Sequence, residues 1–194
     1  LSAGDNVLVV GRGPVSVLAA KISAHKGYHT TYLTPSDPQV KEEVDRLVFE
    51  VGSIGAEKPG DKSDRTQASK EENELRDSLP LTFIDSSDVE EVTSMLPSVN
   101  ALILAVDSEA VIDASAIETI FGGFAKGTLK RVVFMSRHLN GGGMGFFASA
   151  AKKVGNGDVW AGGSNIQMYR DHEALLASKC EGIGADLTIV RAGT

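Results

Sequence analysis

The chain has 194 residues, a length typical of one domain, and 42% of them are hydrophobic, which is enough for a sizeable core. The formal net charge of −7 argues against a nucleic-acid-binding surface, and no apolar run approaches the roughly 18 residues that a membrane span needs. Cys180 is the only cysteine, so an internal disulfide is excluded, and the scattered histidines predict no metal site.

The first 34 residues have the pattern of a strand, a glycine turn, a helix and a second strand. Residues 7–10 are continuously apolar, as in a strand that is buried on both faces. Residues 15–26 have helical spacing, and residues 29–33 form the second strand. Four apolar residues share one stripe of this helix: Val15, Leu18, Ala19 and Ile22. This order is typical of the opening unit of a dinucleotide-binding fold.

The turn between the first strand and the helix has the pattern G-x-G-x-x-S, in which Ser16 replaces the usual third glycine. A helix N-terminus carries unpaired amides and a partial positive charge, so it attracts a pyrophosphate that glycines allow to come close. The predicted cofactor-binding residues of the turn are Gly11, Arg12, Gly13, Pro14 and Val15. The alternative is a tight turn that no longer binds a cofactor.

The end of the second strand predicts where a ribose would bind. Many dinucleotide enzymes place an acidic residue there. In this chain the position is Thr34 or nearby, and Asp37 is the closest acid. Arg12 and Lys41 are the only candidates to hold the additional phosphate of NADP. NAD and NADP therefore both remain candidate cofactors.

A charged stretch, residues 57–78, follows the first half of the fold. It is dense in charges of both signs, and Leu75 is its only large apolar residue. Such a stretch buries too little surface to offset the entropy lost on ordering. We expect a flexible insertion there, or alternatively a docking arm that a partner orders.

The remainder of the chain alternates helices with strands. Strands are predicted at 79–84, 99–106, 131–135 and 185–190, and helices at 39–50, 89–96, 113–124, 146–154 and 166–179. Alternation of this kind predicts a single-domain α/β protein with a Rossmann-type, doubly wound parallel sheet in the order 3-2-1-4-5-6. Asp85 follows the third strand and is a candidate for the adenine side, with helix capping as the alternative.

Three stretches, VLVVGRGPVS, RVVFMS and HEALLASKCEGIGADLTIVRAG, resemble the atypical, NmrA-like branch of the short-chain dehydrogenase/reductase superfamily. Members of that superfamily reduce carbonyls with a serine, a tyrosine and a lysine four residues after the tyrosine. The resemblance assigns Ser136 to the serine, but the chain contains no YxxxK. It therefore implies a degenerate member without the usual proton relay, unless Tyr169 and His172 replace it.

The missing pair, the altered turn and the charged stretch favour a non-catalytic or weakly active protein. Such a protein would be a scaffold, assembly factor or auxiliary subunit of a larger complex. The resemblance further implies a plastid photosynthetic complex such as a photosystem, with membrane contact only through partners, and a start at Leu1 is compatible with a processed organellar protein. The alternatives are an NAD(P)H-dependent oxidoreductase that uses another acid, a nucleotide or redox sensor, and a cytoplasmic location.

Overall fold

Six parallel strands form one sheet in the computed structural model, which describes residues 1–11, 13–34, 38, 44, 78–105, 113–138 and 163–193. The strands are β1 (Asn6–Gly11), β2 (His29–Thr34), β3 (Leu81–Asp85), β4 (Ala101–Ala105), β5 (Arg131–His138) and β6 (Asp186–Gly193). Their order is β3-β2-β1-β4-β5-β6, and every neighbouring pair is parallel. The predicted doubly wound, Rossmann-type topology is confirmed.

Four described helices connect these strands. They are α1 (Pro14–His25), α2 (Val89–Met95), α3 (Ala114–Gly123) and α4 (Gly163–Ile183), and a 3₁₀ turn (Leu96–Ser98) follows α2. Asp88 caps α2 by accepting a hydrogen bond from the Glu91 amide at 3.0 Å, and Asp113 caps α3 through the Ser115 amide at 3.2 Å. None of the described helices is long and apolar enough to cross a membrane.

The sheet separates two hydrophobic clusters, because alternate residues of a strand point to opposite faces. Leu8 and Leu102 pack on the face that α3 and α4 cover, whereas Val7 and Val9 pack on the face that α1 covers. These four side chains are at most 3% exposed. Burial on both faces explains why the sequence of β1 is continuously apolar.

Helix α1 approaches the sheet with its smaller side chains. Its buried residues are Ser16, Val17, Ala20, Ser23 and Ala24. The predicted stripe instead points away from the sheet: Val15, Leu18 and Ile22 are 46%, 51% and 50% exposed. Small side chains allow the backbone of a helix to lie close to a sheet. This close approach, and not the apolar stripe, decides which face of α1 is buried.

Several predictions from the sequence fall on other parts of the chain. The charged stretch, apart from Ser78, and the helix at 146–154 lie outside the described residues. The same holds for the helix at 39–50, except that Val44 is buried in the cluster beneath α1.

Candidate nucleotide-binding site

The carboxyl ends of β1 and β4 lie side by side at the centre of the sheet. From β1 the chain proceeds to β2 and β3 on one side, and β4 lies on the other side. Ligands of open α/β sheets bind at such a reversal of strand order, beyond the carboxyl ends of the strands. Gly11, the last residue of β1, pairs there with Ala105, the last residue of β4. The predicted glycine turn therefore stands at the expected place for a ligand.

Gly11 is in close contact with the neighbouring strand. A Cβ atom added to Gly11 would lie 2.0 Å from the carbonyl oxygen of Ala105 and 2.6 Å from the Cβ of Ser16. Gly13 has φ 148° and ψ 178°, a conformation that favours glycine. Both glycines of the motif are therefore required by the backbone, the first by space and the second by conformation.

Ser16, at the third motif position, links the turn to β2. Its Oγ donates to the carbonyl oxygen of Gly13 at 2.8 Å and lies 2.8 Å from the hydroxyl of Tyr32. The Tyr32 hydroxyl in turn donates to the carbonyl oxygen of Gly11 at 3.0 Å. Each hydroxyl carries one proton, so these three contacts share two protons. Ser16 and Tyr32 therefore stabilise the glycine turn together through hydrogen bonds. The contribution of Tyr32 was not predicted from the sequence.

The start of α1 is suited to an anion. Gly13 is the N-cap and provides no side-chain cap, Pro14 occupies the first turn, and that turn has no acidic residue. The positive end of the helix dipole is therefore not compensated by a described side chain. These features fit a phosphate group, for which the backbone around Gly13 would provide the contacts. Arg12 lies outside the described residues.

The two residues predicted on the ribose and adenine side have structural contacts of their own. Thr34 is fully buried, and its Oγ1 donates to the carbonyl oxygen of Ile84 at 3.1 Å. Asp85 accepts hydrogen bonds at Oδ1 from the amide of Ser87 at 2.9 Å and from its hydroxyl at 2.7 Å. Thr34 therefore stabilises the β2–β3 pair, and Asp85 shapes the turn after β3. Asp37 and Lys41 lie outside the described residues.

Ser136 lies on β5 beside an ion pair. It is fully buried, and its Oγ forms no hydrogen bond of normal geometry with the described residues. Glu173 of α4 accepts two hydrogen bonds from Arg191 of β6, at 3.1 Å and 2.7 Å, and Arg191 is paired in register with Ser136. The Arg191 guanidinium lowers the pKa of Glu173, and the nearby Ser136 hydroxyl contributes to that lowering. A carboxylate that is held in its ionised form therefore lies near Ser136.

Tyr169 and His172 are packed into the protein. Tyr169 is 8% exposed and belongs to the main core cluster, and His172 is 6% exposed. Loss of solvation lowers the pKa of His172, although the charges of Asp171 and Asp113 oppose the shift. His172 is therefore neutral at pH 7, and the structure gives no support to an exchange of protons between this pair and a ligand in the cleft.

Comparison with known proteins yields similarity in structure alone. No family model and no curated protein sequence matches the chain. A diketoreductase that acts on dicarbonyl compounds is 13% identical, with a TM-score of 0.45 over 100% of this chain and 66% of that chain. BdcA (YjgI) from E. coli is 14% identical, with a TM-score of 0.42 over 98% of this chain and 86% of that chain. The fold assignment rests on the strand order and register given above.

No group of three or more His, Cys, Asp or Glu side chains in the described ranges is arranged to hold a metal ion. The described part of the carboxyl edge of the sheet therefore consists of a tight glycine turn, a helix N-terminus without an acidic residue in its first turn, and a buried serine next to a paired carboxylate. The glycine turn and the helix N-terminus can hold a phosphate. Ser136 provides one hydroxyl, but no described acid beside it can donate a proton.

Proposed function

We propose that this protein is a degenerate member of the atypical short-chain dehydrogenase/reductase branch that binds NAD or NADP without efficient turnover. In this proposal it serves as a scaffold, assembly factor or auxiliary subunit of a larger complex, and the nucleotide is a structural or sensory ligand. The observation that carries the proposal is the state of Glu173, the carboxylate beside Ser136. Glu173 is held ionised by Arg191, and an ionised carboxylate accepts protons but has none to donate.

The glycine turn supports the nucleotide-binding part of the proposal. The close contact of Gly11 with β4 and the conformation of Gly13 form a tight turn before α1, with no side chain at either glycine. A pyrophosphate placed there would contact backbone amides and the positive end of the helix dipole. The family resemblance is the only support for the proposed role in a larger complex, for a plastid location and for association with a photosystem.

A thermal-shift experiment with NAD, NADH, NADP and NADPH tests nucleotide binding. A nucleotide present at about 100 times its dissociation constant should stabilise the protein by roughly 2.7 kcal/mol. Pro14→Glu places a negative charge in the first turn of α1, where it favours the helix and repels a phosphate. We therefore expect this variant to be as stable as the wild type but to lose the nucleotide shift.

Pro97→Glu is the matched control, because it adds the same charge to the exposed 3₁₀ turn before β4, at the edge of the sheet opposite to the glycine turn. This variant should keep the full nucleotide shift. If none of the four nucleotides stabilises the wild type, the nucleotide-binding proposal is wrong. If Pro14→Glu keeps the shift, the nucleotide binds elsewhere.

The second candidate function is an NAD(P)H-dependent oxidoreductase, which the position of the Ser136 hydroxyl on β5 favours. A substrate carbonyl could accept a hydrogen bond from that hydroxyl, which has no other described partner of normal geometry. The test is oxidation of NADPH in the presence of a panel of small carbonyl compounds. Turnover that Ser136→Ala abolishes, without loss of NADPH binding, would establish this function and overturn the non-catalytic one.

A further inference from the structure

The outer face of α1 carries an apolar ridge, which consists of Val15, Leu18 and Ile22. These side chains are 46%, 51% and 50% exposed, and their spacing of three and four residues places them on one face of the helix. They are three of the six large hydrophobic side chains that are exposed among the described residues. Single exposed apolar residues are ordinary, but a contiguous group is typical of an interaction surface.

The charged side chains of α1 and of the turn that follows it are all basic. Lys21 and Lys26 lie beside its C-terminal half, and residues 13–27 contain no acidic side chain. Neither lysine forms a salt bridge with another described residue. The whole chain, in contrast, has a net charge of −7. Residues 13–27 therefore present apolar and basic side chains together, in a chain whose net charge is negative.

We propose that the ridge binds an amphipathic helix of a protein partner, with acidic side chains beside the apolar face of that helix. Apolar side chains at every third and fourth position of such a helix would cover Leu18 and Ile22, and its carboxylates would meet Lys21 and Lys26. This inference goes beyond the proposed function and does not require nucleotide binding.

The charges disfavour a second copy of this chain as the occupant. In an antiparallel pair of α1 helices, the lysines of one copy approach the positive N-terminal end of the other. In a parallel pair, the lysines of both copies lie together. Both arrangements bring like charges close together, which is unfavourable. An acidic amphipathic helix, in contrast, would cover the apolar side chains and pair with the lysines.

The experiment uses a displayed library of amphipathic helical peptides. Every member has the same leucine face, and the positions beside that face vary between glutamate and lysine. We expect selection on the wild-type protein to enrich the glutamate peptides. Raising the salt concentration should weaken their binding, since screening reduces the attraction between exposed charges.

Four variants locate the binding surface. Leu18→Gln and Ile22→Gln each replace an apolar side chain of the ridge by glutamine, which also forms helices well. Each should lower the affinity for the selected peptide about tenfold or more, as is typical when a hot-spot residue is replaced. Lys21→Glu should also weaken it. Val89→Gln is the matched control, because Val89 is 69% exposed on α2 beside Glu90 and Glu91, and it should bind the peptide as the wild type does. Melting curves check that every variant is folded.

Other outcomes overturn the proposal. Enrichment of lysine peptides, no enrichment at all, or binding that survives Leu18→Gln would each exclude an acidic helix on this ridge. Self-association in sedimentation that Leu18→Gln removes would assign the ridge to a second copy. Binding to vesicles of phosphatidylcholine and phosphatidylglycerol that Leu18→Gln removes would assign it to a membrane surface. A failure of nucleotide binding would leave all these readouts unchanged, so the two proposals fail separately.

Discussion

Replacement of Gly11 by alanine tests how tightly the glycine turn is built into the sheet. The new Cβ would lie 2.0 Å from the oxygen and 2.9 Å from the carbon of the Ala105 carbonyl. That carbonyl belongs to the buried backbone of β4, so it has little freedom to move aside. Gly11 is not among the glycines with positive φ, so the cost arises from the contact and not from backbone conformation.

We expect Gly11→Ala to destabilise the protein by about 3 kcal/mol or more, at the upper end of the range for overpacked sites. In a chain of this length, such a loss lowers the melting temperature by about 6–12 °C. Urea unfolding followed by circular dichroism gives the free energy of unfolding for both proteins.

Gly122→Ala is the matched control. Gly122 lies in α3, where an added Cβ meets no atom within 4 Å, so alanine should stabilise the protein by about 0.5–1 kcal/mol through its higher helix propensity. A stability of Gly11→Ala within about 1 kcal/mol of the wild type would refute the close contact between β1 and β4 on which the site description rests.

Three further predictions concern buried polar groups. Tyr32→Phe removes a hydroxyl that contacts the turn and Ser16, and it should lower the free energy of unfolding by about 1–2 kcal/mol in urea titrations. Burial lowers the pKa of His172, so the unfolded chain binds a proton first as the pH falls. The wild type should therefore lose stability below about pH 6.5, and His172→Gln should lose less. Burial raises the pKa of the Cys180 thiol to about 11, so little of it is the reactive thiolate at neutral pH. A disulfide reagent such as Ellman's should therefore react with Cys180 only as fast as the protein unfolds. Rapid reaction under native conditions would contradict this burial.

The sequence predicted most of the fold because strand and helix patterns are local. Continuous apolar runs mark strands covered on both faces, and β1 and β4 have that pattern. Acidic residues at helix starts mark caps, as Asp88 and Asp113 do. Once strands and helices alternate, short right-handed connections leave few arrangements, so the strand order followed as well.

The surroundings of the site residues were less accessible from the sequence. Thr34 was predicted near a ribose from its position at a strand end, and Ser136 was assigned to the site by the family resemblance; the structure places both side chains in the interior. The pairing of Glu173 with Arg191 joins residues 18 positions apart on different elements. Local spacing contains no information about such pairs, because they depend on how α4 lies across β5 and β6.

Helix α1 separates the two kinds of information most clearly. The sequence by itself determined that residues after the glycine turn form a helix, that this helix leads to a parallel strand, and that no tyrosine–lysine pair follows. Only the tertiary structure decided which face of α1 meets the sheet and that Tyr32 and Ser16 bind the turn together. The physical reason is that helix spacing is set by neighbouring residues, whereas burial and hydrogen bonding between elements are set by close packing of segments distant in the chain.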